Sequence, residues 1–316
     1  MNPKLIVILN PKSGSSGDDF KAAIEQGLQS RGMEYEIRET TLEINGGQLA
    51  QDAVKEGATH LLACGGDGTV MSVVNGLGKI ESKKAAEEAP DTTLSIIPGG
   101  TANLLAQALD IPTDTDEAIA VAVAGEDKVI DLGRCGEYLF ALGLGLGLTE
   151  RLVSQASAQA KEKIGRWAYV WAMVSELGMK PVTFTIKRDN KASHRKRGVA
   201  IVIANAGEIG GKMKFAPDAR MDDGLLDICI LHRFFLRDVF SLMWSTLIGR
   251  VREDRAVSFY QARRIELRTN PPLDTQIDGE VVDVKPPLVI EVVPRALRVR
   301  VPASAKEDEA VTGSTL

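Results

Sequence analysis

Short hydrophobic runs alternate with amphipathic stretches along the first third of the chain. Residues 4–9 are mostly branched and apolar, end at the loop NPKSGSSG, and lead into an amphipathic stretch that begins at Asp18. Three similar units follow, and the pattern predicts a repeated order of strand, loop and helix. The predicted strands cover residues 4–9, 34–40, 60–66 and 93–98, and the predicted helices cover residues 18–32, 48–57, 70–78 and 102–111.

This alternation indicates how the strands pair. Strands that are joined through helices need crossover connections, so they lie parallel in a sheet that helices cover on both faces. The loops after the strands then gather at the carboxyl edge of the sheet, where folds of this kind bind ligands. We therefore expect a doubly wound parallel-sheet α/β domain with a ligand site at that edge.

The second half of the chain changes character after about Val129. Short strand-like runs recur between turn signals, which is typical of an antiparallel sandwich or barrel. The runs cover residues 182–189, 198–207, 225–232, 263–270, 274–284 and 287–302. Two helical stretches, 149–178 and 234–254, interrupt them, and the small polar tail 303–316 is expected to be disordered.

Composition and charge narrow the class of protein. The 316 residues include 38 Lys and Arg and 43 Asp and Glu, which gives a formal net charge of −5, and 44% of them are hydrophobic. These values fit a globular protein of two domains, and the negative charge makes nucleic acid a poor partner.

Membrane and redox signals point to one compartment. No apolar run reaches the ~18–20 residues of a membrane-spanning helix, and the start of the chain does not resemble a signal peptide. The three cysteines stand singly in apolar stretches and lack a CxxC spacing. They suit a reducing compartment, so the expected location is the cytoplasm.

Three loops of the first half share one layout, in which a strand ends, one or two glycines and a hydroxyl residue follow, and a helix begins. They are NPKSG (10–14), GGDGT (65–69) and PGGT (98–101). Glycine lets backbone N–H groups approach an anion, and a helix N-terminus adds partial positive charge. A single loop of this kind is usually a tight turn, but three at one sheet edge favour a nucleotide polyphosphate. The GxxxxGK[ST] and GxGxxG motifs of other nucleotide-binding folds are missing.

Several side chains suit phosphoryl chemistry. Asp67 is placed to hold Mg²⁺ or a ribose hydroxyl, and Thr69 and Thr101 are placed to donate to phosphate oxygens. Glu280 follows a turn at Asp278, and a carboxylate there can take the proton of an alcohol that attacks a phosphoryl group. An ordinary hairpin turn is the alternative for that segment.

Two further groups of polar residues contain side chains of the types that bind metals. Asp222 and Asp223 suit either a hard cation or a turn. The histidines, His60, His194 and His232, lack metal-ligand spacing and are expected to be structural or to lie on the surface.

Five segments stand in the order and rough spacing of one known family: NPKSG (10–14), GGDGTVMSVVNGL (65–77), PGGTANLLA (98–106), FAPDARMDDGLLDI (215–228) and DGE (278–280). With these motifs the sequence resembles the diacylglycerol kinase catalytic domain family. That family includes soluble bacterial lipid kinases and sphingosine and ceramide kinases, and is more distantly similar to NAD kinases. The resemblance extends over nearly the whole chain up to the tail.

The resemblance implies two domains with the active site in the cleft between them. A nucleotide-binding α/β domain, residues 1–130, would be completed by a returning C-terminal strand at 288–302. Residues 131–287 would form the β-rich lipid-binding domain, and 303–316 a tail. The expected fold class is thus an N-terminal doubly wound parallel-sheet domain, like that of NAD kinases and diacylglycerol kinases, with a C-terminal antiparallel β-sandwich.

The resemblance also implies roles for residues at matching positions. Glu280 would be the general base, and Asp67 and Asp131 would belong to an acidic, Mg²⁺-linked network. Asp223 and the carbonyl groups of Arg220 and Leu225 would bind a structural metal. The residues that would contact ATP are Asn10, Pro11, Lys12, Ser13, Gly14, Thr41 (or its neighbour Thr40), Gly66, Asp67, Gly68, Thr69, Val70, Met71, Ser72 and Thr101.

Three positions depart from the family pattern. Ser72 stands where GGDGTxxE usually carries Glu, and Leu142 and Thr149 stand where FxN and GxGxD usually carry Asn and Asp. The change at Thr149 weakens a sphingosine assignment. The core GGDGT, PGGT and DGE elements are intact, so an active enzyme is expected.

The activity implied by the resemblance is ATP- and Mg²⁺-dependent phosphorylation of a lipid hydroxyl, with diacylglycerol as the first choice and phosphatidic acid as product. The alternatives are a sphingosine- or ceramide-type or other lipid kinase, a soluble-substrate kinase similar to NAD kinase, and a noncatalytic nucleotide- or lipid-binding regulator.

The expected partners are ATP and a lipid at the inner membrane face, and a homodimer is left open. Two groups of residues are candidates for contact with the membrane, and a solvated hairpin and ordinary core packing are their respective alternatives. The groups are the basic cluster of Lys187, Arg188, Lys191, Arg195, Lys196 and Arg197, and the apolar residues Phe234, Phe235, Phe240 and Trp244.

Overall fold

The computed structural model describes residues 5–13, 17–81, 90–147, 181–207, 216, 218–232 and 257–303. The predicted helices at 149–178 and 234–254 therefore lie outside the described residues, and so does most of the tail. In the described ranges no helix has both the length and the apolar character needed to cross a bilayer.

Four parallel strands form one half of the larger sheet. β1 (Leu5–Leu9) pairs with β2 (Tyr35–Glu39) on one side and with β3 (His60–Gly65) on the other, and β3 pairs with β4 (Thr93–Pro98). Every residue of β1 and β4 is buried, which requires cover on both faces of the sheet. The parallel sheet predicted from the alternation of strands and helices is confirmed.

In the part of the chain that the structure describes, five helices accompany these strands: α1 (Gly17–Ser30), α2 (Gly46–Lys55), α3 (Asp67–Glu81), α4 (Leu104–Ala108) and α5 (Thr115–Ala124). Two of them differ from the prediction at their ends. α3 begins at Asp67, inside the GGDGT loop, and α4 is much shorter than the predicted 102–111. The first turn of α3 is therefore part of the loop that was expected to bind phosphate.

The sequence pattern did not predict α5. In its run IAVAVA the side chains alternate in size and are all apolar, so the hydrophobic pattern has no helical period. Ala118, Ile119 and Ala122 are nevertheless buried on one face of the helix. The helix starts where the Asp114 carboxylate accepts the backbone N–H groups of Asp116 and Glu117, both at 3.0 Å. This cap, rather than the hydrophobic pattern, marks the element in the sequence.

The last strand, β16 (Leu288–Val301), connects the parallel strands to the antiparallel part of the chain. Its end pairs parallel with β4, and most of its length pairs antiparallel with β5 (Glu126–Cys135), with an irregularity between Val293 and Leu297. Its beginning pairs with β13 (Arg264–Asn270). The sheet continues through β8 (Val182–Arg188) to β9 (His194–Gly198), while β6 (Tyr138–Phe140) pairs with β5, so that ten strands form one sheet.

A second, six-stranded antiparallel sheet packs against the far end of the first. Its strands, in spatial order, are β12 (Val257–Ala262), β11 (Leu226–Leu231), β10 (Ala200–Ala204), β7 (Gly143–Leu146), β14 (Thr275–Ile277) and β15 (Glu280–Val282). Phe184 and Leu267 of the large sheet share a buried cluster with Leu144 and Ile228 of the small one. The predicted C-terminal β-sandwich is confirmed, with the difference that one of its two layers continues the parallel sheet.

The three cysteines are free and buried, one in each of β3, β5 and β11. Burial raises the pKa of every one of these thiols, to about 11 for Cys135 and about 12 for Cys229. The thiols therefore stay protonated at neutral pH and pack as small apolar groups.

Candidate functional site

One carboxylate joins the loop after β3 to the loop after β4. The backbone N–H groups of Asn103 and Leu104 donate to the two carboxylate oxygens of Asp67, the first of them at 2.8 Å. Asn103 in turn closes the PGGT loop, because its Oδ1 accepts the N–H of Gly100 at 2.9 Å and its Nδ2 donates to the Gly100 carbonyl at 2.7 Å. The two loops are thus held as one unit at the carboxyl edge of the parallel sheet.

The backbones of these loops touch where both residues are glycine. A methyl group placed on Gly100 would lie 2.6 Å from the Cα atom of Gly66, so no side chain fits between them. Gly68, Gly100 and Thr101 are exposed at this junction. The peptide groups there are therefore accessible to a ligand.

The NPKSG loop lies against the same unit. The Asn10 side chain donates from Nδ2 to the Thr69 hydroxyl at 3.0 Å, and its Oδ1 accepts the N–H of Lys12 at 3.0 Å. A methyl group on Gly99 would lie 3.3 Å from the Cβ atom of Ser13. The structure thus brings together the three loops that the sequence singled out, although Gly14 lies outside the described residues.

The N-terminus of α3 gives this edge its chemical character. The first N–H groups of an α-helix have no partner within the helix and carry partial positive charge, so they attract anions. α3 begins at Asp67, with Gly68 and Thr69 in its first turn between the two neighbouring loops. The arrangement can bind a phosphate group of a nucleotide.

Glu280 approaches this helix from the second sheet. It is the first residue of β15 and follows a tight turn in which Asp278 and Gly279 have φ angles of 48° and 90°. The Glu280 Oε1 atom lies 3.4 Å from the position that a Cβ atom on Gly68 would occupy. An exposed carboxylate is therefore placed beside the first turn of α3.

The turn before Glu280 is held by its own aspartate. The Asp278 carboxylate accepts three successive N–H groups, from Ala141 at 2.9 Å, Leu142 at 2.9 Å and Gly143 at 2.8 Å. Burial, with a smaller contribution from the negative charge of Asp67, raises the pKa of Asp278 to about 6 against the lowering effect of these donors. The sequence indicated only a turn at Asp278; its position two residues before the predicted base was the available signal.

Asp131 was expected to belong to a Mg²⁺-linked network with Asp67. Its buried carboxylate accepts the N–H groups of Gly224 and Arg295, each at 2.7 Å, and burial raises its pKa. In the described chain these hydrogen bonds join the loop at 221–225 to the irregular part of β16 and do not reach Asp67. They favour a structural role, and the network assignment stays a prediction.

The expected metal site at Arg220, Asp223 and Leu225 lies on the same loop. The exposed Asp223 carboxylate accepts the N–H of Leu225 at 3.0 Å, and the Arg220 side chain pairs with Asp222 at 3.1 Å. Within the described ranges no group of three or more His, Cys, Asp or Glu side chains is arranged to hold a metal ion. Backbone carbonyl ligands are not part of such a group, so this site also stays a prediction.

The remaining residues expected to contact ATP lie on or near α2 and α3. The Thr41 hydroxyl accepts the N–H groups of Glu43 and Ile44 at 3.2 and 3.0 Å and so closes the loop after β2. The Ser72 hydroxyl accepts the N–H of Gly47 at 2.9 Å, which ties α3 to the start of α2. Val70 is buried and Met71 is half-buried. Thr41 therefore shapes the loop that precedes α2, and Ser72 fixes the start of α2 against α3.

The fold and the site together define a class: a parallel α/β unit with an anion site at a helix N-terminus, faced by a carboxylate from a β-sandwich. Two family profiles match nearly the whole chain. Residues 4–135 match the diacylglycerol kinase catalytic domain, and residues 146–301 match the YegS C-terminal NAD kinase beta sandwich-like domain. The chain therefore combines a diacylglycerol kinase catalytic domain with a YegS-type C-terminal domain.

Individual proteins are similar over most of their length. The chain is 29% identical to the diacylglycerol kinase of Bacillus subtilis (strain 168), with 87% of this chain and 88% of that protein covered. It is 29% identical to a "Probable lipid kinase YegS-like" protein of Stenotrophomonas maltophilia (strain K279a), with 95% and 97% covered. A crystal structure of a diacylglycerol kinase from Bacillus anthracis str. Sterne has the same fold, with a TM-score of 0.73, 21% identity, and 94% and 96% of the two chains covered. The family and the names of these relatives support a lipid kinase, a phosphotransferase, as the class of enzyme.

Proposed function

We propose that the protein is an ATP- and Mg²⁺-dependent lipid kinase that phosphorylates the free hydroxyl of diacylglycerol to give phosphatidic acid. The observation that carries the proposal is the placement of the Glu280 carboxylate beside Gly68, in the first turn of α3. A base thus stands next to the helix end that is suited to hold the phosphates. A general base must lie within reach of the group that reacts, and the position of Glu280 beside α3 supports this role.

Each component of the site has a role in the proposed reaction. Glu280 takes the proton of the lipid hydroxyl as its oxygen forms a bond to the γ-phosphorus of ATP, and the bond from that phosphorus to the bridging oxygen breaks, so that ADP leaves. The N–H groups of α3 and of the two glycine loops hold the phosphates and offset their negative charge. Positioning of the two reactants supplies most of the rate.

The residues at the loop junction fit ATP with Mg²⁺. Mg²⁺ in kinases is held by one or two carboxylates together with the phosphates. Asp67 fits this donor set, because each of its oxygens accepts one N–H group and keeps a further lone pair. When bound, the ion would neutralise charge that develops on the phosphates. Asn10, the exposed residues Pro11 and Lys12, and Thr101 would line the rest of the nucleotide site.

Diacylglycerol is the favoured acceptor because a relative that covers most of the chain is named for it. The sphingosine-type alternative has less support, since Thr149 replaces the family's Asp, although this residue lies outside the described chain. A noncatalytic regulator has less support than a kinase, since Glu280 and Asp67 are both in place. The distinction among lipid acceptors is one for experiment.

A lipid kinase has to reach its substrate at a membrane surface. Three apolar side chains next to proposed site residues are exposed: Leu42 by 95%, Ile44 by 43% and Val281 by 50%. They flank Thr41 and Glu280 in the sequence, and we propose that they contact the lipid surface of the inner membrane face. The basic cluster lies on the hairpin of β8 and β9, where Lys187 pairs with Glu266 at 3.0 Å. The second candidate group, Phe234, Phe235, Phe240 and Trp244, lies outside the described residues.

The proposal is tested by supplying purified protein with labelled ATP, Mg²⁺ and mixed micelles. Separate reactions contain diacylglycerol, monoacylglycerol, sphingosine, ceramide or phosphatidylglycerol, and a parallel reaction contains NAD. We expect labelled phosphatidic acid from diacylglycerol. Absence of label in every lipid contradicts the kinase proposal, and label in NAD alone supports the soluble-substrate alternative.

The role of Glu280 is tested by Glu280→Gln, which keeps the size of the side chain and removes the base. We expect turnover to fall by about 10²–10⁴-fold while ATP affinity, measured by calorimetry, is largely kept. Asp283→Asn is the matched control, because Asp283 is an exposed carboxylate three residues further on. Equal turnover in Glu280→Gln and the wild type would remove Glu280 from the role of base.

A further inference from the structure

A fully buried asparagine joins β5 to the segment between β6 and β7. Asn205 directly follows β10 and has no exposed surface. Its Nδ2 group donates to two backbone carbonyls, of Asp131 at 2.9 Å and of Ala141 at 2.8 Å. Its own N–H and that of Ala206 both donate to the carbonyl of Leu142, at 2.9 and 3.1 Å. Asn205 thus donates hydrogen bonds to two carbonyl groups of the segment 141–143, those of Ala141 and Leu142.

The N–H groups of the same segment hold the turn that precedes Glu280. Its three N–H groups donate to the Asp278 carboxylate, and the N–H of Asp278 donates to the Gly143 carbonyl at 3.0 Å. The peptide groups of 141–143 are therefore hydrogen-bonded at both ends, to Asn205 and to Asp278. Hydrogen bonds arranged in series polarise and reinforce one another in a buried environment.

The two carbonyl groups that face position 205 are both satisfied by a side-chain amide. A side-chain NH₂ group can donate to two carbonyls at once, whereas a carboxylate has no proton to donate and a hydroxyl has only one. Because the site is buried, losing the donors would leave carbonyl groups unsatisfied. In the described chain the Asn205 Oδ1 atom has no partner, so the contribution of the side chain comes through its NH₂ group.

We propose that Asn205 is a positioning residue that fixes Glu280 beside α3 by way of the segment 141–143 and Asp278. The inference rests on the proposed role of Glu280 as the base. Its consequence is that the loss of the Asn205 donors shifts the catalytic carboxylate without disturbing the nucleotide loops, which are held separately by Asp67 and Asn103. Small displacements of a catalytic group have large effects on rate.

The test is Asn205→Asp, which keeps the shape of the side chain and removes both donors. We expect kcat for lipid phosphorylation to fall by about tenfold or more, with the KM for ATP changed less than about twofold. Asn205→Ser, which keeps one donor, should have an intermediate kcat, and it serves as the measurement if the Asp variant does not fold.

The matched control is Asn75→Asp. The Nδ2 group of Asn75 also bridges two carbonyls, of Met71 at 3.0 Å and of Leu139 at 3.1 Å, but it joins α3 to β6 and not to the Asp278 turn. A loss of kcat in the Asn205 variants that exceeds the loss in Asn75→Asp supports the positioning role. Equal losses, or an unchanged kcat in both Asn205 variants, overturn it.

Hydrogen exchange measured by mass spectrometry gives a second result that does not depend on activity. Amides of residues 276–282 should exchange faster in Asn205→Asp than in Asn75→Asp, while those of residues 99–104 should be unchanged. If the wild type phosphorylates no lipid but this difference is seen, the proposed activity fails and the positioning of the turn stands. If the wild type is active and the difference is missing, the positioning proposal fails alone.

Discussion

The surroundings of Asp278 act in opposite directions on its ionised form. Three N–H groups stabilise the carboxylate, but burial and the charge of Asp67 oppose it, and the resulting pKa is about 6. A group whose pKa is raised by folding stabilises the folded state when it is protonated. This contribution is fully present below the pKa of the unfolded chain and is lost as the pH rises through about 6.

The pH dependence of Asp278→Asn follows from this sign. We expect the wild type to gain stability relative to the variant as the pH is lowered from about 7.5 to about 5. The melting temperature of the wild type minus that of the variant should therefore be larger at the lower pH. A difference for Asp278→Asn that is independent of pH would contradict the raised pKa.

At the scale of single residues, the sequence predicted the chemical types in the site better than their contacts. Glycines and hydroxyl residues at strand ends pointed to phosphate, and the structure brings their loops together. The sequence did not show that Asp67 uses both oxygens to hold the next loop, or that Asn103 and Asn205 brace the backbone. Such contacts depend on where separate strands end in space, and no local pattern encodes that.

At the scale of elements, α2 and α3 pack with their backbones in contact. A methyl group on Gly76 would lie 2.6 Å from the Cα atom of Gly47, and closer still to its carbonyl oxygen. The Ser72 hydroxyl binds the N–H of Gly47 one turn earlier on α3. Ser72 is thus small and polar where α2 approaches α3. This contact gives a structural reason for Ser at the position where the family pattern GGDGTxxE has Glu.

Gly76→Ala tests this packing. Neither backbone can move away easily, so we expect a loss of about 1–3 kcal/mol in the free energy of unfolding, measured by denaturant titration. Gly27→Ala is the matched control, because Gly27 also lies inside a helix but its added methyl group would meet the flexible end of Ile119. A stability of Gly76→Ala equal to that of the control would show that the helices can separate at little cost.

The elements also show which sequence signals failed. β1, β3 and β4 were predicted because each is apolar and bounded by glycine or polar loops, whereas β2, with the sequence YEIRE, was predicted from its place in the repeated order of strand, loop and helix. β9 has the sequence HRKRG and was not predicted, since nothing in it is apolar; it forms because β8 offers a partner along its edge. β-structure at a sheet edge is set by its neighbour more than by its own residues.

At the scale of the whole molecule, β16 joins the two cores. Its Leu297 and Val299 are buried with the parallel strands, whereas Leu288 and Ile290 are buried between the two sheets of the sandwich. One continuous strand thus contributes to both clusters, and β5 runs beside it for most of its length. We expect the two parts of the protein to lose structure together.

This coupling is tested by Leu297→Ala, which opens a cavity in the first cluster at a cost of about 2–5 kcal/mol. Amides of β8 and β13, which contact only the second cluster, should lose hydrogen-exchange protection by about the same factor as those of β4. The reciprocal variant, Leu267→Ala, should lower the protection of β4. Protection lost only in the part that carries each substitution would show two independent units.

The position of β9 at the end of the large sheet has a consequence for behaviour in solution. In the described chain its second edge pairs with no strand, so its free N–H and C=O groups resemble those that template aggregation. His194, Arg195 and Arg197 are exposed along this strand. Two copies brought edge to edge would place the guanidinium groups of Arg195 and Arg197 close to those of the other copy, and we expect their repulsion to oppose association through this edge. High salt, which screens that repulsion, should therefore weaken the protection.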